Sequence, residues 1–265
     1  MALEISHVNK TFATPSGGSQ PVLRDVDLTV DSGEFVCLIG HSGCGKSTLL
    51  NVVAGLVGPD SGTVWLDSRR VEAPGPDRAM VFQNYSLLPW LSLHENALVA
   101  TRSARPDRSD ATNAGEVERY LRAVGLWEHR NKRPAQTSGG MQQRAAVARA
   151  FAVGPKVLLL DEPFGALDDL TRLRLQQELL SLWRGDGGTE TVLMVTHGIE
   201  EAAFLADRIV VMATPPGPSV ATVIDVPIPR PRDRATVADD PRFREICAEL
   251  RRLLLATDAV EQVAA

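Results

Sequence analysis

The stretch GHSGCGKS, residues 40–47, has the spacing G-x-x-x-x-G-K-[ST] of a phosphate-binding loop. It follows a short apolar run, EFVCLIG at 34–40, and leads into STLLNVVAG at 47–55, whose apolar residues recur with helical spacing. A buried strand, a glycine-rich turn and a helix in this order place main-chain N–H groups around a phosphate at the positive end of the helix. The sequence therefore predicts a nucleotide-binding P-loop made of Gly40, His41, Ser42, Gly43, Cys44, Gly45, Lys46, Ser47 and Thr48.

Two side chains of this loop have the chemistry that ATP and Mg²⁺ require. The ammonium group of Lys46 neutralises the β- and γ-phosphates, and the hydroxyl of Ser47 is a magnesium ligand in loops of this kind. A turn that is merely flexible is the alternative. The strand before the loop and the helix after it favour the phosphate site.

Three later apolar runs each end in a residue able to do chemistry: RAMVFQ at 78–83, KVLLLDE at 156–162 and TVLMVTH at 191–197. The helical pattern TRLRLQQELLSLW at 171–183 separates the last two. Strands that alternate with helices form a parallel sheet, and such sheets bind ligands at the carboxyl ends of their strands.

The beginning, middle and end of the chain depart from this pattern. ALEISHVNKTF and VLRDVDLTV alternate polar and apolar residues and predict a small antiparallel sheet. EVERYLRAVGL at 116–126 predicts a helix, whereas the polar RSARPDRSDATNAG at 102–115 predicts a loop. After residue 226 the chain is rich in proline and arginine. A short amphipathic helix follows, with one apolar stripe formed by Phe243, Ile246, Leu250 and Leu253.

These patterns predict an α/β fold of the P-loop NTPase (RecA-like) class, with a parallel-sheet core, an N-terminal antiparallel β-subdomain and an inserted α-helical subdomain. The predicted divisions are four. They are residues 1–84 (antiparallel subdomain and first part of the nucleotide-binding core), 85–152 (helical subdomain), 153–225 (remainder of the core) and 226–265 (C-terminal extension).

The strand ends supply the remaining catalytic candidates. Asp161 is placed to hold Mg²⁺, and Glu162, one residue further, is placed to orient and polarise the attacking water. Gln83 and His197 are polar tips of separate strands that reach towards the γ-phosphate, and Gln83 is also a candidate metal ligand. Either residue alone more often has only a structural role. They indicate an active site because they occur together with the P-loop, Asp161 and Glu162.

The stretch TSGGMQQR, residues 137–144, places two adjacent glycines at the start of a helical pattern. Glycine costs about 0.5–1 kcal/mol relative to alanine within a helix, whereas serine is a favoured N-cap. An ordinary helix start explains Ser138, but it does not explain Gly139 and Gly140. The pair predicts main-chain N–H groups offered to a ligand.

Composition excludes several classes of protein. The chain has 265 residues and a formal net charge of −5, which argues against a nucleic-acid partner bound by phosphate neutralisation. Three cysteines, Cys37, Cys44 and Cys247, show neither zinc spacing nor an even number for pairing and predict reduced thiols. No secretory signal and no apolar run of about 20 residues occurs, so a soluble protein, or one held at a membrane by a partner, is expected.

With these motifs in order, nearly the whole chain resembles the ATP-binding subunits of ABC transporters. The signature of that family usually reads LSGGQ, and here Thr137 and Met141 depart from it, while the central SGG and the QQR that follows are kept. The resemblance implies that two subunits face each other head to tail, as a homodimer or with a closely related second ATPase subunit. Each ATP then lies between one P-loop and the signature helix of the other subunit.

The resemblance also implies roles and partners. Phe12 corresponds to the aromatic residue that stacks on adenine, and Gly198 stands where the family usually has an aspartate after the switch histidine, His197. Integral-membrane permease subunits, an extracytoplasmic substrate-binding protein acting indirectly, and a peripheral location on the cytoplasmic face of the inner membrane are expected. The segment from Tyr85 to Trp90 is the expected permease contact; Leu88 and Trp90 as plain core residues are an equal alternative.

Within the family, residues 74–96 and the tail PRPRDR at 229–234 resemble the nitrate, sulfonate and taurine importer group, and most of all its nitrate/nitrite branch. Import of aliphatic sulfonates or taurine is the alternative. Three other classes remain open at this point: a soluble ABC ATPase without a transport role, a different P-loop enzyme such as a kinase, and a nucleotide-binding subunit that does not hydrolyse ATP. Glu162 argues against the last.

Overall fold

The computed structural model describes residues 2–15, 17–165, 167–184, 189 and 191–264, with side chains up to residue 257 in the last helix. The strands are β1 Leu3–Ala13, β2 Ser19–Val30, β3 Phe35–Gly40, β4 Ser61–Leu66, β5 Arg69–Arg70, β6 Arg78–Val81, β7 Val157–Asp161, β8 Thr191–Val195, β9 Arg208–Met212 and β10 Val220–Asp225. The α-helices are α1 Lys46–Ala54, α2 Leu93–Ala104, α3 Asp110–Ala123, α4 Gly139–Val153, α5 Asp169–Trp183, α6 Ile199–Leu205 and α7 Pro241–Ala264.

The chain forms two compact units. The first combines Met1–Pro74 with Thr191–Ala265, and the second is the continuous segment Gly75–Glu190. The finer division at residues 84, 152 and 225 stays a prediction. Among the described residues, none of the helices combines the length and the apolar character that crossing a bilayer requires.

An antiparallel sheet in the first unit has the strand order β2-β1-β4-β5. The predicted pairing of the two N-terminal segments is present, with Leu3 opposite Val30 and Phe12 opposite Gln20. The sequence did not indicate that β4 and β5, which follow α1 along the chain, complete this sheet. In β4, Val64 is buried and Trp65 is exposed, the alternation expected of a strand with one covered face.

Parallel strands form the other sheet region of the first unit. β3 pairs in parallel with β8 on one side and with β9 on the other, and β10 pairs antiparallel with β9. Every residue of β3 and β8 is buried, as expected for strands covered on both faces. The carboxyl ends of β3 and β8 therefore lie at one edge, with the P-loop following the first strand and His197 following the second.

The second unit combines a parallel strand pair with a helical cluster. β6 and β7 pair in parallel, with Val81 opposite Leu160. Helices α2, α3 and α4 pack against one another, and the rings of Tyr120 on α3 and Phe151 on α4 stack with centroids 5.8 Å apart. This arrangement agrees with the helical insertion expected from the sequence.

The loop expected at residues 102–115 was wrong in part. The last turn of α2 and the first half of α3 lie in this range, and only residues 105–109 connect them. Ser109 caps α3 because its hydroxyl accepts a hydrogen bond from the main-chain N–H of Thr112 at 3.1 Å. Apart from the buried Asn113, the polar residues of this stretch that lie in the two helices are exposed, and polarity alone does not distinguish an exposed helix face from a loop.

The C-terminal extension ends in a 24-residue helix, so the expected short helix is long. Of the predicted stripe, Phe243, Ile246 and Leu250 are buried, and Leu253 is half-buried. The arginine-rich segment before it is also structural. The buried guanidinium of Arg232 donates hydrogen bonds to the carbonyls of Phe204 and Ala206 at the end of α6, at 2.9 and 2.7 Å. Burial lowers the pKa of Arg232 to about 10, and it remains a cation that binds the helix C-terminus.

Candidate functional site

The P-loop connects β3 to α1 in a turn that only glycine can make. Gly45 precedes α1 at φ +97°, and a Cβ atom there would lie 2.7 Å from the carbonyl oxygen of Val22 on β2. At Gly40 a Cβ atom would lie 2.5 Å from the carbonyl oxygen of Met212 on β9. Both distances are shorter than real Cβ contacts, so the sheet strands beside the loop require glycine at these two positions.

Lys46 directs its charge into this turn. The side chain is 5% exposed, and its ammonium group donates hydrogen bonds to the carbonyl oxygens of Gly40 at 2.8 Å and His41 at 2.7 Å. The ammonium group and the N-terminus of α1 give the loop two sources of positive potential. Ser47 and Thr48 follow in the first turn of α1, half-buried, while Ser42 and Gly43 are exposed. These residues fit a bound di- or triphosphate.

The His41 side chain points to the C-terminal helix. Its Nε2–H donates a hydrogen bond of 2.7 Å to the carbonyl oxygen of Leu254 on α7. The P-loop motif predicted only a main-chain role for this residue. Cys44, three residues further along the loop, is buried, as are Cys37 and Cys247, and these three cysteines form no disulfide in the structure.

His197 is exposed just beyond β8, at the edge where the P-loop also lies. Hydrogen bonds fix the turn that carries His197. The buried carboxyl group of Glu201 accepts one of 2.5 Å from the hydroxyl of Thr196. The same hydroxyl accepts one of 2.9 Å from the N–H of Gly198. A Cβ atom at Gly198 would lie 3.0 Å from that of Glu201, so this turn is tight around glycine.

Phe12 is an exposed aromatic ring on β1, with 41% of its surface accessible. The ammonium group of Lys10 lies 5.5 Å from the ring centroid. Phe12 pairs with Gln20 on β2, and two residues further along that strand Val22 lies against Gly45 of the P-loop. The ring therefore stands on the strand pair that borders the P-loop, and it is not a core residue.

In the second unit, the structure brings Gln83 and Glu162 together. Gln83 follows β6, Asp161 ends β7 and Glu162 comes next, so the parallel strands place these residues at one edge. The amide Nε2 of Gln83 donates a hydrogen bond of 3.2 Å to Oε2 of Glu162. Glu162 adopts φ +47°, which is uncommon for a residue with a side chain.

The signature residues form the start of α4, as expected. Ser138 caps the helix by accepting a hydrogen bond of 3.4 Å from the N–H of Met141. A Cβ atom at Gly139 would have only the Tyr85 hydroxyl nearby, at 3.5 Å. At Gly140 the nearest atom would be the Thr171 methyl carbon at 3.2 Å, a close contact with a side chain and not with the main chain. Among the described residues, no main-chain atom therefore lies against either glycine in the way it does at Gly40 and Gly45.

The predicted site residues thus divide between the two units. Phe12, the P-loop and His197 belong to the first; Gln83, Asp161, Glu162 and the signature residues belong to the second. Within the first unit the P-loop and His197 share one edge. Within the second, Gln83 contacts Glu162.

Sequence reasoning missed two residues that organise the segment after Gln83. The buried Asn96 accepts a hydrogen bond of 2.7 Å from the N–H of Leu88 and donates one of 3.1 Å to its carbonyl oxygen. Leu88 is half-buried, and Trp90, two residues after Leu88, is 64% exposed. The second missed residue is Arg149 on α4, whose guanidinium binds the carbonyls of Tyr85 and Ser86. No motif spacing signalled either residue.

Comparison with known proteins gives consistent matches. Residues 23–165 match the family described as ABC transporter. The nitrate import ATP-binding protein NrtD of Synechococcus elongatus is 51% identical, over 93% of this chain and 89% of the relative. The bicarbonate transport ATP-binding protein CmpD of the same species is 48% identical, over 92% and 87%.

Among solved structures, a dimeric post-hydrolysis state of the ATP-binding cassette MJ0796 bound to ADP and Pi is similar, with a TM-score of 0.73 and 32% sequence identity. The likeness covers 84% of this chain and 98% of that one. It confirms the predicted α/β P-loop fold class.

Proposed function

This chain belongs to the ABC transporter family of ATP-binding proteins, whose members couple ATP hydrolysis to transport, and we propose that it energises the import of a small anion, nitrate in the first place. The family membership confirms the resemblance seen in the sequence and excludes the kinase alternative. The observation that carries the proposal is the P-loop, where glycine is sterically required and Lys46 is buried with its charge facing the turn.

Different groups of the site have different roles in binding ATP. Main-chain N–H groups of residues 41–48 bind the phosphates at the N-terminus of α1, and the Lys46 ammonium neutralises their charge. Ser47, Gln83 and Asp161 are oxygen donors of the kind that magnesium takes. A magnesium ion held by these residues would supply positive charge that offsets the negative charge of the phosphates during hydrolysis. Phe12 offers an exposed ring face for the adenine.

For hydrolysis, we assign to Glu162 the role of orienting and polarising the attacking water. Its carboxylate accepts a hydrogen bond from Gln83, which orients it, and a carboxylate so oriented is a general base able to take a proton from water. His197 follows β8 and is exposed at the same sheet edge as the P-loop, and its imidazole contributes a ring nitrogen that contacts the γ-phosphate. The signature N–H groups of Gly139 and Gly140 serve the ATP of the other subunit, since among the residues that the structure describes only side-chain atoms lie near their Cβ positions. The similar cassette structure is dimeric, which supports the pairing of two subunits.

A test of catalysis is Glu162→Gln, which preserves shape and removes the base. We expect turnover to fall by about 10²- to 10⁴-fold with little change in ATP affinity. Glu118→Gln is the matched control, because Glu118 lies on the exposed face of α3 in an ion pair with Arg122. Sedimentation with MgATP should show a longer-lived dimer for Glu162→Gln. A variant that keeps most of the wild-type rate, or an active monomer indifferent to ATP, would contradict the proposal.

The transported anion is proposed from the relatives. NrtD and CmpD are nearly equal in identity, at 51% and 48%, so bicarbonate is the close second to nitrate, ahead of the sulfonate or taurine alternative. Specificity resides in the permease and in an extracytoplasmic binding protein, because none of the site residues here recognises the anion. Nitrate and bicarbonate uptake, measured in the same reconstituted complex, distinguishes the two.

The permease contact is proposed at residues 85–90, on the cytoplasmic face of the membrane. Trp90 is exposed, and Asn96 fixes the main chain at Leu88, which gives a braced apolar surface suited to a short helix. Leu88→Asp should abolish uptake while the isolated subunit keeps its ATPase rate. Leu56→Asp, at an exposed leucine of the first unit, is the control. Unimpaired uptake by a folded Leu88→Asp protein would refute this contact.

A further inference from the structure

A two-pronged contact joins the signature helix to the turn that follows Gln83. The guanidinium of Arg149 on α4 donates from Nη1 to the carbonyl oxygen of Ser86 at 2.7 Å and from Nη2 to that of Tyr85 at 3.0 Å. A planar guanidinium presents its donors in a fixed fork, so two simultaneous contacts set the orientation of both carbonyls.

The turn held in this way is conformationally unusual. Tyr85 and Ser86 are consecutive residues with side chains, yet they adopt φ +62° and +44°. The turn also binds itself, since the Ser86 hydroxyl donates to Oδ1 of Asn84 at 2.8 Å. Main-chain conformations of this kind persist where the surroundings fix them, and Arg149 is the contact that does so from outside the turn.

The other end of the same segment reaches the proposed catalytic carboxylate. Gln83, two residues before Tyr85, donates its hydrogen bond to Glu162. A continuous set of contacts therefore runs from Glu162 through Gln83 and the turn to Arg149. From there α4 leads to Ser138 and Gly139 at its N-terminus, and the Tyr85 hydroxyl lies 3.5 Å from the Cβ position of Gly139.

The two ends of this set act on different ATP molecules in a head-to-tail dimer. Glu162 serves the ATP on its own P-loop, whereas the start of α4 serves the ATP of the other subunit. We propose that Arg149 is a positioning residue that couples the two ATP sites, so that the arrangement of Gln83 and Glu162 at one site sets the placement of the signature residues at the other. This inference rests on the proposed function.

The test is the ATP dependence of hydrolysis by the full chain. Cooperativity between two sites gives a Hill coefficient above 1 and at most 2. We expect the wild type at about 1.5 or more. Arg149→Lys, which keeps the charge but not the fork, should approach 1. Its ATP affinity, measured at protein concentrations too low for dimers, should not change.

The matched control is Arg105→Lys. Arg105 binds the carbonyls of Val153 and Gly154 at the opposite end of α4, so it makes the same kind of contact with the same helix without touching the turn. Its Hill coefficient should remain that of the wild type. If Arg149→Lys does not fold, Ser86→Gly replaces it, because glycine loosens the turn at φ +44° and keeps both carbonyls. It should also reduce the Hill coefficient.

The outcomes separate the two proposals. A cooperative wild type with equally cooperative Arg149→Lys or Ser86→Gly proteins overturns the coupling role and leaves the ATPase assignment standing. A uniform fall in turnover at an unchanged Hill coefficient shows that Arg149 only supports the fold, which also overturns it. A wild type that shows neither cooperativity nor ATP-driven dimerisation overturns the head-to-tail pairing and the coupling together.

Discussion

Helices α1 and α4 both begin at glycines, but the structure accounts for only one of the two sets. Before α1, Cβ atoms at Gly40 and Gly45 would overlap main-chain atoms of neighbouring strands at 2.5 and 2.7 Å. At the start of α4, Gly139 and Gly140 meet only side-chain atoms, at 3.5 and 3.2 Å. The first pair is required by the fold of the chain. For the second pair, the described residues show no main-chain contact that requires glycine, which points to a requirement from a ligand or a second subunit.

The two helices also differ in their N-terminal caps, since only α4 has a side-chain cap. Gly45 precedes α1 in the left-handed conformation and has no side chain with which to cap that helix. Ser138 caps α4 with its own hydroxyl. A helix that already has a cap needs less from a ligand to be stable, and α4 can therefore form before its ligand arrives.

The largest effect is expected at Gly45→Ala. A side chain at φ +97° costs about 1–3 kcal/mol in conformation alone, and overlap with the Val22 carbonyl adds to that cost. ATP binding should be lost, as measured by calorimetry, and the free energy of unfolding should fall. Gly33→Ala is the control, since Gly33 has φ +85° with open space around it. It should show the conformational cost and retain ATP binding. Normal ATP binding by Gly45→Ala would show that the fold does not require glycine before α1, and the contrast with α4 would no longer hold.

An intermediate effect is expected at Gly140→Ala. The free energy of unfolding should change by less than about 1 kcal/mol, because the better helix propensity of alanine offsets the close approach of its Cβ atom to the Thr171 methyl at 3.2 Å. Turnover should nevertheless fall by about 100-fold, the typical cost of losing one preorganised N–H donor. Gly115→Ala makes the same change on α3 in open space and should leave turnover intact. Wild-type turnover by Gly140→Ala would remove the reason for assigning this glycine to the partner's ATP.

The smallest effect is expected at Ser138. Ser138→Ala should lower the free energy of unfolding by about 1 kcal/mol through loss of the cap, whereas Ser138→Gly should cost only a few tenths. Both lack the hydroxyl, so an equal loss of ATPase in the two variants assigns the hydroxyl to the ligand. Loss of ATPase in the alanine variant alone would limit Ser138 to capping the helix.

Much of the fold was predictable because it depends on local patterns. The apolar runs that became β3, β7 and β8, the P-loop and the serine cap of α4 are all encoded within about ten residues. The polar stretch at 102–115 was misjudged, since an exposed helix face and a loop have the same composition. The long α7 was underestimated because its last turns lack a strong apolar stripe.

What sequence could not give is contact between distant residues. Arg149 binds a turn more than sixty positions earlier, and His41 binds Leu254 at the far end of the chain. Neither contact alters local periodicity. The adenine and signature assignments likewise came from family resemblance and not from the spacing of residues.

The discontinuous first unit has a consequence for how the protein is made. β3 emerges from the ribosome early, but its neighbours β8 and β9 lie beyond residue 190. At about 5–20 residues per second, the roughly 150 residues between β3 and β8 take roughly 8 to 30 s to synthesise. The second unit is continuous and can form during that interval, while the apolar β3 remains without its parallel partners. Synthesis therefore passes through a stage in which the nascent chain exposes its most apolar strand, where a chaperone that binds apolar segments has its best opportunity.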